Sequence, residues 1–173
     1  MTLNWYVLQV RTGKEPDIKS EMKRQGYTAA APTEIRTERK GGKWHEKLRI
    51  VFPSYVFIKL DLTDEDFYKI RDVPGVIRFL GVGRPEPIRE DEEYVIEWLD
   101  NDDSPLEPSG LVYCAGNTVM VVSGPLKGHE GTIIRINKRQ RRALLAITIN
   151  GSLREFSLSV KALDPREAYE GGP

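Results

Sequence analysis

Asn117-Thr-Val-Met-Val-Val-Ser-Gly-Pro-Leu-Lys-Gly-His-Glu-Gly-Thr-Ile-Ile-Arg-Ile-Asn-Lys-Arg-Gln-Arg-Arg142 is the stretch on which the fold of the chain turns. Val119 to Val122 and Thr132 to Ile136 are short β-branched runs, and Gly124, Pro125, Gly128 and Gly131 punctuate the segment between them. Runs of that kind separated by turn residues predict two strands meeting in a hairpin. Glycine enters left-handed backbone conformations without steric cost, so its density here predicts a bend sharper than side chains allow. The second run ends at Asn137, and Lys138, Arg139, Arg141 and Arg142 follow with only Gln140 between them.

From Gly116 to Leu163 there are eight Lys or Arg against two acids, Glu130 and Glu155, which leaves six net positive charges. The whole chain balances 26 basic against 26 acidic residues, so its neutral total conceals a basic C-terminal part. Asymmetry of this kind points to a polyanion as the partner of one part only. A solvated basic turn that serves solubility is the plainer alternative.

At 173 residues the chain has room for one ordinary domain or two small ones. Its apolar runs are too short for a membrane span, and Met1-Thr-Leu-Asn-Trp-Tyr-Val7 lacks the blocks of a signal peptide. A cytoplasmic location is expected. Cys114 is the single cysteine, so no internal disulfide forms, as in a reducing compartment.

Taken in order, Trp5 to Val10 predicts a strand, and Glu15 to Gln25 a helix with Pro16 in its first turn, Ile18 and Met22 on one face and Gly26 as its stop. Ala29 to Glu38 predicts an extended segment, which Gly41-Gly42 turns back into Lys43 to Val51 as an exposed basic arm. Phe52 to Leu60 is the most strand-like run, Thr63 caps a short helix over Asp64 to Arg71, and Val76 to Leu80 is a further strand. Near Arg89 to Asp100 a helix is predicted, with Tyr94, Val95, Trp98 and Leu99 facing the sheet. Asn101 to Gly110, rich in Pro and acids, has the composition of a linker. Beyond it lie short strands of a small barrel, with few aromatics: Tyr113, Phe156 and Tyr169. Alternating strands and helices before a compact β tail predict an α/β sandwich followed by that barrel.

Several motifs then come in a known order: Trp5-Tyr-Val-Leu-Gln-Val10, Phe52-Pro-Ser-Tyr-Val-Phe-Ile58, the Pro74-Gly75-Val76 turn, the linker, Gly116-Asn-Thr-Val119, and Ser123-Gly-Pro-Leu-Lys-Gly-His-Glu-Gly-Thr-Ile133. Over almost the whole chain this resembles the NusG family, in which the glycine-rich segment is called a KOW motif. The resemblance implies an α+β chain: an N-terminal (NGN) α/β sandwich, an antiparallel sheet flanked by helices, over 1–100, a linker over 101–113, and a basic, RNA-binding KOW β-barrel over 114–173. It implies that the N-terminal half grips the clamp helices of RNA polymerase through Phe52, Pro53, Tyr55, Phe79 and Leu80, supported by Trp5 and Tyr6. Thr63 occupies the place where specialised members touch the opposite pincer of the cleft, and Arg11 and Arg24 match positions facing non-template DNA. A body bridging the cleft would favour the closed clamp and oppose pausing and termination.

The barrel departs from the general factor. Housekeeping members carry an aromatic where this chain has His129 and an arginine where it has Ser152, which puts contacts to a ribosomal protein or Rho in doubt. In their place stand Lys127, Arg135, Lys138, Arg139, Arg141, Arg142 and Arg154, an edge similar to that of the specialised antiterminator paralogue LoaP, of the RfaH/LoaP type, which recognises an RNA hairpin in a leader transcript. An A-form stem suits such an edge because it offers dense phosphates and a groove read by shape. A housekeeping elongation factor and a ribosomal KOW protein are the alternatives within this resemblance. An enzyme is not expected, because no paired carboxylates, Ser-His or Cys-His constellation or phosphate loop occurs. His45 and His129 fall in different parts and Cys114 lies near neither, so no metal or other cofactor is expected, and the chain is read as a monomer.

Overall fold

The structure is a computed structural model describing residues 1–166, so Tyr169 lies outside the described residues. β1 (Asn4–Val10) sends alternate side chains to opposite faces, and each face has its own cover. Tyr6, Leu8 and Val10 pack with Ile18 and Met22 of α1 (Glu15–Arg24) and Ile70 of α2 (Asp64–Arg71). Trp5 and Val7 pack on the other side with Ile88 and with Ile96 of α3 (Tyr94–Asp100). With β2 (Thr28–Ala30), β5 (Tyr55–Leu60) and β6 (Val76–Phe79), β1 forms a four-stranded antiparallel sheet of order β2-β5-β1-β6. Helices on both faces make it the expected sandwich.

Local signals explain the helix ends. Pro16 lies in the first turn of α1, with Glu15 and Asp17 there and Lys23 and Arg24 in the last, complementing the helix dipole. A capping box starts α2: the Thr63 hydroxyl accepts the Asp66 N–H and the Asp66 carboxylate reaches back to the Thr63 N–H. The expected extended segment from Ala29 breaks at Pro32 into β2 and β3 (Thr33–Lys40). β3 pairs with β4 (Lys43–Ile50) around Gly41-Gly42 as a separate two-stranded arm.

The C-terminal half is a five-stranded sheet of order β8-β7-β11-β10-β9, formed by β7 (Ser109–Cys114), β8 (Thr118–Ser123), β9 (Ile133–Asn137), β10 (Arg142–Ile149) and β11 (Ser152–Ala162). It wraps around Leu111, Leu126, Ala143, Leu145, Phe156 and Leu158 as the small barrel. β7 begins inside the stretch expected to be linker, where Leu106, Pro108 and Ser109 are buried.

The hairpin expected from the Asn117 to Arg142 stretch does not form. β8 pairs with β7 and β9 with β10, so the two runs occupy opposite edges of the strand order. The connecting segment is longer than the two to five residues or so of a hairpin loop, and it crosses between edges while driving Leu126 fully into the core. Glycine is required at position 124: φ is 87°, and a Cβ there would lie 2.6 Å from the Ser109 Cα. The adjacent Ser109 hydroxyl accepts the Leu126 N–H at 3.0 Å. The true hairpin is β9–β10, and the basic run is its turn, held by the Asn137 side chain accepting the Gln140 N–H at 3.0 Å.

α3 also departs from expectation. Ile96 faces the sandwich, whereas Val95 and Leu99 join the core of the barrel and Tyr94 is exposed. The apolar stripe forms as expected, but Val95, Trp98 and Leu99 meet the other half of the protein in place of the sheet. Full burial of a leucine such as Leu99 is worth about 1.5–3 kcal/mol, and Val51 and Leu106 extend the same core across the halves. Among the described residues no helix is long and apolar enough to cross a membrane.

Replacing Leu126 by Ala removes the anchor of the crossing segment and leaves a cavity. A loss of about 2–5 kcal/mol is expected, read as a lower urea midpoint for the intact chain.

Candidate nucleic-acid interface and partner-facing cleft

The residues expected to meet polymerase divide into two groups. Trp5, Tyr6 and Phe79 are buried, with Tyr6 and Phe79 edge to face at 6.1 Å, so they shape the sheet and present no surface to a partner. Phe52, Tyr55 and Leu80 are half-buried, Pro53 is exposed, and all four line one open cleft of about 430 Å³. The barrel supplies the opposite wall: Phe52 lies 5.0 Å from the Phe156 ring and 5.7 Å from Phe57. Ser54, at φ 76°, holds this corner in a left-handed conformation. The buried Glu15 carboxylate fastens it by accepting the Ser54 N–H at 2.7 Å and the Gly13 N–H at 2.9 Å.

Thr63 is exposed but engaged as the α2 cap. Arg24 pairs with Glu21, and its hydrogen bonds are the main reason the Glu21 carboxyl is held down to about 2. Arg11 is exposed, and its backbone N–H is bonded to the Gly75 carbonyl at 2.9 Å.

Six of the seven basic barrel residues have no carboxylate within ion-pair distance among the described residues. Lys127, Arg135, Arg139 and Arg154 are exposed on the crossing segment, β9, its turn and β11. Lys138 lies 4.4 Å over the Tyr113 ring, and Arg141 lies 3.9 Å over Trp44 of the arm. Cations resting on ring faces keep their charge while losing side-chain freedom.

Arg142 is the exception, and the expectation of a solvent-facing, RNA-contacting cation fails for it in this arrangement. Its guanidinium donates to Glu34 Oε1 at 2.7 Å, Ser159 Oγ at 2.8 Å and the Ser157 carbonyl at 2.9 Å. The second Glu34 oxygen accepts the Ser159 N–H at 3.0 Å. Side-chain exposure is 12% for Arg142 and 4% for Glu34. Burial pushes the Arg142 pKa down, and the Glu34 carboxylate opposes that shift. Sequence patterning did not single out Glu34 or Glu15, because an acid in a polar strand or a first helical turn has the pattern of an ordinary surface residue.

Further contacts join the halves. Trp98 donates its indole N–H to the Pro125 carbonyl at 2.8 Å and stacks on His129 with centroids 4.0 Å apart. The Asn150 side chain accepts the Arg89 N–H at 3.0 Å, and its backbone N–H meets Glu92. Leu106 exchanges backbone hydrogen bonds with Thr33 and Ile35 of β3, both at 2.8 Å. Among the described residues no group of His, Cys, Asp and Glu is arranged to hold a metal ion.

Comparison with known proteins follows the same division. The family model for the transcription termination factor NusG matches residues 3–97, and that for the KOW motif matches residues 115–147. The chain is 30% identical to the transcription termination/antitermination protein NusG of Thermus thermophilus, covering 94% of this chain and 100% of that protein. Identity to the Bacillus subtilis protein of the same name is 25%, over 95% and 99%. A solved structure concerned with domain interaction in Thermotoga maritima NusG superposes with a TM-score of 0.55 at 24% identity, covering 92% and 95% of the two chains, a likeness of fold.

Glu34→Ala leaves the Arg142 guanidinium buried without its carboxylate. Breaking one partner of such a pair costs about 3–5 kcal/mol, so the halves are expected to separate, seen as a larger radius of gyration in X-ray scattering. Adding Arg142→Met to the same variant is expected to restore the compact form.

Proposed function

The chain belongs to the NusG family, and on that premise we propose that it is a specialised, operon-specific antitermination factor of the LoaP type. As a NusG-family protein it is a transcription termination/antitermination factor and not an enzyme. In the proposed mechanism its N-terminal half binds the clamp helices of RNA polymerase through Phe52, Pro53, Tyr55 and Leu80, and its barrel binds a structured leader RNA. Non-template DNA passing Arg11 would add a minor contact. The work takes place in the cytoplasm, where the transcript is made.

One observation carries this reading: the barrel displays Arg135, Arg139, Arg154 and Lys127 to solvent with no acid paired to them among the described residues. Unpaired cations on a rigid sheet are suited to release counterions from a nucleic acid, and they give binding a steep salt dependence. With few aromatics on the barrel, phosphates of a paired stem are a better match than unpaired bases. The barrel covers part of the surface assigned to polymerase; in the proposed mechanism the docked chain is a resting form whose halves separate when polymerase binds. Antitermination is then bounded by how much better the open chain binds the closed clamp than the competing states.

The similarity to general NusG proteins favours a second reading, a housekeeping factor coupled to a ribosomal protein or Rho. Against it, the position associated with that coupling is His129, here stacked on Trp98.

Transcription across an intrinsic terminator, on templates with and without the host's leader hairpins, separates the two. Readthrough that needs a leader is expected, and Arg139→Ala with Arg154→Ala is expected to abolish the leader's benefit while polymerase binding persists. Equal readthrough on every template would overturn the specialised reading in favour of the general one.

A further inference from the structure

The β3–β4 arm and the β9–β10 turn meet along a second cleft, of about 360 Å³, which belongs to neither half alone. Arg36, Arg39 and Trp44 of the arm form one wall, and Arg139 and Gln140 of the turn form the other. Arg39 and Arg139 are exposed and have no carboxylate in ion-pair range among the described residues. Glu38, the one acid lining the cleft, bonds to Arg49 at 2.8 and 3.0 Å, which holds its carboxyl below the usual range, and also pairs with Arg36 at 3.7 Å.

Two further features indicate an anion. In the arm, Arg36 stands opposite Lys47 with Glu38 beside them, and Lys40 stands opposite Lys43 with no acid in ion-pair range of either among the described residues; like charges directly across a ladder destabilise it. The fold then brings this cationic arm against a second cationic segment, with Arg141 stacked on Trp44, at a cost in repulsion that a polyanion would relieve.

We infer that the cleft between the arm and the β9–β10 turn binds the phosphate backbone of structured RNA, with Arg39 and Arg139 as opposing contacts and Trp44 as the ring that fixes their separation. The inference rests on the reading of the barrel as RNA-binding, and it extends that site onto the N-terminal half. RNA is then held best by the docked chain, where both walls are present. RNA in the cleft and polymerase at Phe52 are therefore negatively coupled. A nascent transcript offsets that coupling by tethering the protein beside polymerase at high effective concentration. Arg135 and Arg154 on the barrel retain the RNA after the arm withdraws.

Fluorescence anisotropy of the full chain with a fluorescein-labelled RNA stem-loop, over a potassium chloride series, tests this. As the arm variant, Arg39→Gln is expected to weaken binding about threefold to fivefold and to flatten the logarithmic salt slope by roughly 0.8, the equivalent of one lost phosphate, with circular dichroism unchanged. Glu34→Ala is expected to weaken RNA binding as well, although it removes a negative charge, because it separates the walls. Wild-type affinity and slope in the arm variant, alongside weakened binding in Arg139→Ala with Arg154→Ala, would overturn the cleft and leave the barrel reading standing. Tighter binding in Glu34→Ala would likewise overturn it. Failure of the wild-type chain to bind the stem-loop in dilute salt would overturn both, and tighter binding of a DNA duplex or an acidic peptide would overturn the assignment to RNA.

Discussion

The Glu34 carboxylate is the contact on which the arrangement of the two halves depends. It sits on a strand of the N-terminal half, is almost wholly buried, and has both oxygens satisfied from the other half, by the Arg142 guanidinium and the Ser159 N–H. Taking two charges out of water is expensive, and their attraction compensates only when geometry and remaining hydrogen bonds are good. Here Arg142 also finds Ser159 Oγ and the Ser157 carbonyl. Such a pair contributes little net stability compared with apolar packing, but it penalises every alternative docking that would leave either charge alone. Register between the halves follows from it, with Leu106 bonded along β3 and Trp98 seated on His129.

That register gives several residues two demands to meet. α3 serves two cores, with Ile96 turned to the sandwich and Val95 and Leu99 to the barrel. Phe52 packs against Phe156 in the docked chain, yet belongs to the surface proposed to receive polymerase. The basic turn lies against the arm through Arg141 and Trp44. The interface, which the proposed mechanism requires to open, combines a shared apolar patch with ion-pair, backbone and ring contacts at its edges. Opening exposes Val95 and Leu99, so any partner that drives it must supply differential binding energy of comparable size.

Much of the N-terminal half was legible because periodicity and burial agree there: Tyr6, Leu8 and Val10 alternate with Trp5 and Val7, and Thr63 announces its helix. The barrel was legible as a composition of short strands but not as a topology. Two β-branched runs flanking glycines look like a hairpin, whereas each run pairs with its other chain neighbour, β8 with β7 and β9 with β10, and the sheet is joined through β7 parallel to the sequence-distant β11. β7 itself was concealed by the prolines and acids before it. Of the candidate site, the cationic positions were visible one by one, but which of them would be spent internally was not. Arg142 looked like its neighbours, and only the approach of Glu34, distant in sequence, distinguishes it. The opposing arm and turn likewise come together only through the fold.

Hydrogen exchange at the Ser159 amide, in the free chain and bound to RNA polymerase, measures the central claim most directly. Its N–H is bonded to Glu34 across the halves, while the neighbouring Val160 N–H is bonded within the barrel to the Arg141 carbonyl at 3.0 Å and serves as an internal reference. Loss of protection at Ser159 with Val160 still protected in the polymerase complex is the expected result. Equal protection of Ser159 in the free and bound chain would contradict it, because polymerase would then be binding without parting the halves.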